Sequence, residues 1–404
     1  MSRLDLRTAG ESHGPAELAI LSGIPAQLPL KAADIDEQLA RRQRGYGRGG
    51  RQQIELDRIR ILSGVRGGLC TGAPIALLIE NKDHANWLEI MSPETRDPAA
   101  QSAGGRVTVP RPGHADLAGI AKFDFEDARD VLERSSARAT AARVAAGAVA
   151  RRLLADLGIE VRGRVLAVGS APASKSGDYL DPQSVDWERA DASDVGTDDA
   201  EAEAAMRAEV DRAREAGVSL GGIFEVWAWG LPPGLGSYTS AEERLDGRLA
   251  GAVMSIPAIK GVEVGLGFRA AVLPGTQVHD PLYPVRAGEG GPRYRRGSNR
   301  AGGLEGGVTN GSPVVLRAAM KPIPTMKSSL PSLDVLTWEE SPAHRERADV
   351  EAVSAARVVA EAETCLVLAD ALLCKFGGDT LADLRLAYAN YVERLKKRGL
   401  WPSS

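Results

Sequence analysis

The sequence predicts an α+β protein, not a doubly wound α/β sheet, and three observations lead there. Helical and strand-like segments intermix without a strict βαβ rhythm. The 45 glycines and 23 prolines are spread along the chain, punctuating many short elements instead of gathering in one linker. Apolar residues make up 43% of the 404, which supplies a sizeable core and argues against wholesale disorder. With no linker to divide it, the chain reads as a single domain spanning 1–404. An acidic stretch at about 176–216 reads as a surface excursion with one helix around Met206 and Val210.

Four helices follow from periodicity and capping. The first begins after Asp34, takes Glu37 as its capping-box partner, buries Ile35 and Leu39, and ends at Gly45. The second starts near Ser135 and Ser136 and runs to Gly158, with Ala142, Ala145, Ala146, Val149, Leu153 and Leu157 at helical spacing. The small residues on that face predict close packing against a sheet or another helix. The third runs from Ser240, with Glu243 closing a capping box, through Leu245, Leu249 and Val253. The fourth is the apolar run from about Ala355 to Phe376, stopped by Gly377-Gly378. Strands are expected at 18–21, 59–63, 75–80, 159–168, 222–229, 261–265 and 314–320, with a short one ahead of Gly10. The second and third helices each lead shortly into a strand, a hint of a duplicated unit.

Charge and cysteine usage bound the function. Fifty basic against 54 acidic residues give a net charge of −4, which speaks against a chain that lives on nucleic acid or an anionic membrane. Cys70, Cys365 and Cys374 are odd in number and scattered, unlike a secreted disulfide scaffold, and the last two read as buried packing. The amino end lacks the apolar core of a signal peptide, and no uncharged stretch approaches membrane-spanning length. The expected location is the cytoplasm.

Five clusters carry chemistry. Gly10-Glu11-Ser12-His13-Gly14 and Arg111-Pro112-Gly113-His114-Ala115-Asp116 each set a histidine beside glycine in a loop, which favours acid–base work over a merely structural imidazole. His114 and Asp116 lack a third ligand at a recognisable spacing, so no metal is expected. The basic stretch from Arg41 to Arg51 formally contains the dinucleotide fingerprint at Gly45, Gly47 and Gly50. It follows a helix and precedes a strand, the reverse of what that motif requires. The same stretch resembles an RNA-binding arginine–glycine segment, but 4% aromatic residues leave little for base stacking. A basic loop closing over a phosphate or carboxylate fits better. Arg134-Ser135-Ser136-Ala137-Arg138, at the start of the second helix, makes an anion site. The glycine-rich run at 299–307 can bring backbone against a planar ring, and the prolines of Lys321-Pro322-Ile323-Pro324-Thr325 rigidify a segment presenting Lys321 and Thr325. Arg347 and Asp349 form a cation and base two residues apart.

In this order, these strings resemble the chorismate synthase family, together with Met254-Ser255-Ile256 followed by Lys260-Gly261-Val262-Glu263. The resemblance covers nearly the whole chain. It implies a β-α-β sandwich with internal pseudo-duplication, assembled as a homotetramer. It further implies a trans-1,4-elimination of phosphate from 5-enolpyruvylshikimate 3-phosphate to give chorismate. The family requires reduced FMN (FMNH2), thought to lend electron density to the departure of phosphate. By the resemblance His13 protonates the departing phosphate, His114 serves the reduced flavin, and Asp349 is the base. Ser12, Arg42, Arg48, Arg111 and Arg138 would hold the substrate. Arg134, Ser135, Ser136, Pro257, Ala258, Gly306, Lys321, Pro322, Ile323, Pro324, Thr325 and Arg347 would contact the flavin. Arg42 and Arg48 are also the positions associated with NADPH. No reductase domain is visible, which points to NADPH as an indirect reductant through a separate flavin reductase. The chain departs from the usual pattern at Ala139, Pro257, Pro324, Glu351 and Ser354, and two of these, Pro257 and Pro324, have no backbone donor to offer a flavin.

Overall fold

A computed structural model describes residues 3–49, 56–94, 106–171, 179–285, 292–346 and 349–402. The principal strands are β1 (Asp5–Ala9), β2 (Ala16–Ser22), β3 (Ile59–Ile61), β4 (Ile75–Glu80), β5 (Glu160–Val168), β6 (Gly222–Trp229), β7 (Ile259–Val264) and β8 (Val314–Met320). The principal helices are α1 (Ala32–Gln43), α2 (Asp116–Phe123), α3 (Arg129–Ser135), α4 (Thr140–Asp156), α5 (Ala200–Ala216), α6 (Leu245–Met254), α7 (Val353–Phe376) and α8 (Leu381–Lys397).

Two antiparallel four-stranded sheets, ordered β1-β2-β4-β3 and β5-β6-β8-β7, enclose helices α1, α4, α6 and α7. The two halves follow one plan. Strand, strand, helix, strand, strand, helix runs as β1-β2-α1-β3-β4-α4 and again as β5-β6-α6-β7-β8-α7, with corresponding places in each sheet. The fold is therefore an α+β sandwich with internal duplication, as the sequence led us to expect. The particular hint was misaligned, however. The second and third expected helices are α4 and α6, whereas the topology pairs α4 with α7 and α1 with α6.

Alternation fixes which sheet face is buried. In β2, Glu17, Ala19 and Leu21 point inward while Leu18 and Ile20 face out. The α4–α7 contact is the closest helix pairing, and its small residues explain why: a Cβ on Gly147 would lie 2.4 Å from the Cβ of Ala362. The packing expected of the alanine-rich face is thus against another helix, and also against β2 and β4.

Several boundaries move for identifiable reasons. α1 begins at Ala32, because the Asp34 carboxylate accepts from the Lys31 N–H at 2.8 Å and so closes the cap from the third helical position. The second expected helix does not start at Ser135. That residue ends α3, and Ser136 caps a short 3-10 turn (Ala137–Ala139) before α4. α6 starts at Leu245, not at Ser240, since a turn in which the Ser237 N–H donates to the Glu243 carbonyl holds the intervening residues out of the helix. α7 starts at Val353, where the buried Glu351 carboxylate accepts from the Val353 and Ser354 N–H groups and the Ser354 hydroxyl. Cys365 is buried as expected, but Cys374 is exposed. The acidic excursion is more than a surface feature: Met206 and Val210 of α5 are fully buried in the main core. Among the described residues, no helix is long and apolar enough to cross a membrane.

Candidate functional site

A cleft of about 570 Å³ lies where the two halves of the sandwich meet. The first half contributes Arg42, Gln43, Arg48 and Gly49 from the end of α1 onward, and Ser136, Ala137, Arg138 and Thr140 from the start of α4. The second half contributes the matching places: Ile256, Pro257 and Ala258 after α6, and Ala352, Ala355, Ala356 and Val359 at the start of α7. Equivalent positions have diverged in chemistry. One half supplies cations and hydroxyls, the other a largely apolar wall. The amino ends of α4 and α7 both reach the cleft, and their dipoles favour an anion there.

The cations are held, not loose. Arg42 donates from Nε to Thr140 Oγ1 at 3.0 Å and from Nη2 to the Ala137 carbonyl at 3.0 Å. Arg138 donates to Asp57 Oδ1 at 2.5 Å and to Asn81 Oδ1 at 2.8 Å, and Arg42 lies 3.4 Å from the other Asp57 oxygen. One buried carboxylate therefore serves two guanidinium groups. Burial, opposed by Asp57 and reinforced by Arg138 and Arg48, draws Arg42 down to about 10, which still leaves it charged at neutral pH. Arg48 pairs with Asp349 at 2.9 Å, and the Gly49 N–H donates to Asp349 at 2.6 Å. Lys321 donates to the Gly113 carbonyl at 2.5 Å. Among the described residues, five cationic side chains line the cleft (Arg42, Arg48, Arg111, Arg138 and Lys321) against two carboxylates, Glu346 and Asp349. Even with the buried Asp57 and Asp116 paired to three of the arginines, this lining suits an anionic ligand.

Each histidine is oriented by a carboxylate. His114 Nδ1 lies 2.5 Å from Asp116 Oδ1, while Arg111 grips the same carboxylate from Nε at 2.8 Å and from Nη2 at 3.0 Å. Burial would raise Asp116, but the hydrogen bonds from His114 and Arg111 outweigh it and hold the carboxyl far below the usual range. His13 Nδ1 lies 2.8 Å from Glu133 Oε1, its backbone N–H donates to Glu133 Oε2 at 2.8 Å, and its ring stacks on Trp87 with centroids 3.9 Å apart. Glu133 is likewise held low, with burial overcome by His13 and Arg129. In both pairs the carboxylate fixes the imidazole at Nδ1.

The structure thus gathers most of the expected site residues. Ser12, Arg42, Arg48, Arg111, His114, Ser135, Ser136, Arg138, Pro257, Ala258, Lys321, Ile323, Pro324, Thr325 and Asp349 all line the cleft. Others stand elsewhere. His13 is not among the lining residues, whereas its neighbour Ser12 is, and the Ser12 hydroxyl accepts from Ser136 at 3.2 Å. Arg134 turns away to the Thr8 and Gly10 carbonyls. Pro322 does not reach the lining, and Gly306 sits in a tight hairpin beside Tyr238. Arg347 lies outside the described residues, as do Gly50 and Arg51 of the basic stretch. Sequence reasoning missed Asp57, Glu133, Asp116 as a histidine partner, Asn81 and Glu346. Of these only Asp116 carried a signal, being two residues from His114. The others are brought in by the fold, Glu133 from α3 and Asp57, Asn81 and Glu346 from irregular segments.

An α+β sandwich with a cleft lined by cations, and two histidines each set against a buried carboxylate, has the form of an enzyme for acidic substrates. The particular family follows from comparison. The family model for chorismate synthase matches residues 4–373. The chorismate synthase of Desulforudis audaxviator is 53% identical over 96% of this chain and 97% of its own, and that of Geobacter sulfurreducens 53% over 96% and 98%. A crystal structure of chorismate synthase superposes with a TM-score of 0.79 at 40% identity, covering 98% of this chain and all of that one. The chain belongs to the chorismate synthase family.

Proposed function

We propose that this chain eliminates phosphate from 5-enolpyruvylshikimate 3-phosphate to give chorismate, with reduced FMN as its cofactor. The observation that carries the reading is the cleft itself, where five cations converge beside a carboxylate-fixed imidazole and a largely apolar wall. A substrate bearing one phosphate and two carboxylates matches that surplus of cations. The cleft also suits a flavin. Ile256, Pro257, Ala258, Met320 and Val359 offer an apolar surface for a planar ring, and the α4 amino end offers donors for its phosphate. Ser135, Ser136, Pro257, Ala258, Lys321, Ile323, Pro324 and Thr325 would hold it. Reduced flavin, when bound, supplies electron density that eases the departure of an allylic phosphate.

The remaining work falls to side chains. Arg42, Arg48, Arg111 and Arg138 bind and orient the substrate anions, and the buried Asp57 keeps two of them in place. His13, held at Nδ1 by Glu133, donates a proton to the departing phosphate oxygen. His13 is not part of the described cleft lining, so this role requires its ring to reach the leaving group when substrate is bound. His114, fixed by Asp116, holds a proton at the flavin locus. Asp349 accepts the ring proton lost in the elimination, so one proton is given up and one taken for each turnover. We further assign a homotetramer, a cytoplasmic location, and reduction of the flavin by a separate NADPH-dependent reductase.

An anaerobic assay with the purified chain, reduced FMN and substrate tests the reading. Chorismate and phosphate should form together in equal amounts. Absence of chorismate, with salt-sensitive RNA binding through the Arg41 to Arg51 stretch, would replace it with a polyanion-binding role.

A further inference from the structure

Two parts of the cleft wall depend on a helix that contributes nothing to its lining. Helix α5 lies in the acidic excursion, with Met206 and Val210 anchored in the core. Its outer edge grips the basic loop. The Tyr46 hydroxyl donates to Asp211, 3.0 Å from each carboxylate oxygen. The Tyr46 ring lies 5.6 and 5.4 Å from the guanidinium carbons of Arg207 and Arg214. Its N–H donates to the Asp194 carbonyl at 2.8 Å. Gly47 takes a φ of +79° hard against the helix, where a Cβ would meet Val210 at 2.6 Å.

The next residues pass this restraint to the cleft. The Gly47 carbonyl accepts from the Val350 N–H at 2.9 Å, and Gly49 and Arg48 both bond Asp349. Beyond the carboxyl end of α5, the Ser219 hydroxyl donates to the Ile323 carbonyl at 2.6 Å, and the Gly217 carbonyl accepts from the Ser328 N–H at 3.0 Å. These bonds hold the segment that carries Lys321, Ile323, Pro324 and Thr325 into the cleft.

We infer that the acidic excursion is a positioning element for the reaction, and that Tyr46, bonded to Asp211 on α5, is the residue that fixes the Arg48–Asp349 pair. The inference rests on the roles proposed above for Arg48 and Asp349. Tyr46 does not line the cleft, so it acts through its neighbours. Its bond to a carboxylate is charge-assisted, and such bonds are the strong ones.

Tyr46→Phe removes the hydroxyl and keeps the ring between its two arginines. In the full-length chain it should lower kcat/KM by about tenfold, the worth of one hydrogen bond to a charged partner. The Gly49 and Val350 amides should exchange with deuterium faster, while thermal midpoint and assembly size hold. Asp211→Ala, which removes the acceptor, should act alike, and the double variant should be no worse than either single one. Unchanged exchange at Gly49 and Val350, or a loss of activity matched by faster exchange throughout the core, would overturn the inference. Full turnover in Asp349→Asn would instead remove the role assigned to Asp349, and the exchange data alone would then decide whether α5 holds the loop.

Discussion

Asp116, wholly buried, lies 2.5 Å from Nδ1 of His114 and so determines which nitrogen of that imidazole faces the cleft. Asp116→Asn keeps the shape but can present an N–H where the ring needs an acceptor, which frees the tautomer. Turnover should fall by about 100-fold or more, the usual scale for a misplaced acid–base group. Steady-state rates at saturating reduced FMN, set beside a thermal midpoint, check this. Asp116→Asn turning over at the wild-type rate would contradict the role.

Asp57 is shared by Arg42 and Arg138 and is almost fully buried. Asp57→Ala leaves two buried guanidinium groups without their carboxylate, and should destabilise the chain by about 3–5 kcal/mol in urea unfolding. Arg138→Lys should leave stability closer to wild type but raise KM by roughly tenfold, because an ammonium cannot reproduce the planar fork. Equal KM values would remove Arg138 from the substrate site.

Much of this site was legible beforehand, and the part that was not has a physical reason. His13, His114 and the arginines announce themselves by sitting in glycine-framed or basic loops. Asp57, Glu133 and Asn81 carry no such mark, since each becomes a partner only when sheet, helix and loop are folded together. The strands at 222–229 and 314–320 were readable to the residue because both are apolar runs bounded by glycine, proline or lysine. The start of α6 was not, because a tertiary turn overrides a plausible capping box. The duplication showed itself in topology far more plainly than in sequence, since its two halves now line the cleft with opposite chemistry.

Gly147 and Ala362 mark where the halves touch, and this predicts intolerance of bulk. Gly147→Val would force α4 away from α7 and should cost about 3 kcal/mol, outweighing any gain in helix propensity. Denaturant titration reads it directly. A neutral result would mean that the helices sit farther apart than described.

Glu17 predicts a pH dependence. Its carboxyl is buried on the inner face of β2; among the described residues neither oxygen has a hydrogen-bond partner, and Arg134 lies 3.8 Å from Oε2. Burial raises it to about 7 from an ordinary 4.5, against the pull of Arg138, Arg134 and Arg42. Between those two values the folded chain keeps a proton that the unfolded chain has lost. Stability therefore falls as pH rises from about 4.5 through 7, by roughly 3 kcal/mol at most. Glu17→Gln should be the more stable protein at pH 8 and lose this slope. Parallel stability curves for the two proteins would show that Glu17 does not titrate there.

The central claim is that one cleft binds the substrate anions and holds the His114 proton on which the elimination depends. An anaerobic single-turnover experiment tests it most directly, following chorismate and phosphate with reduced FMN for wild type and for His114→Ala. The account predicts equal amounts of the two products from wild type, and a rate at least about 100-fold lower when the imidazole is removed. No chorismate from wild type, or equal rates in both proteins, would contradict it.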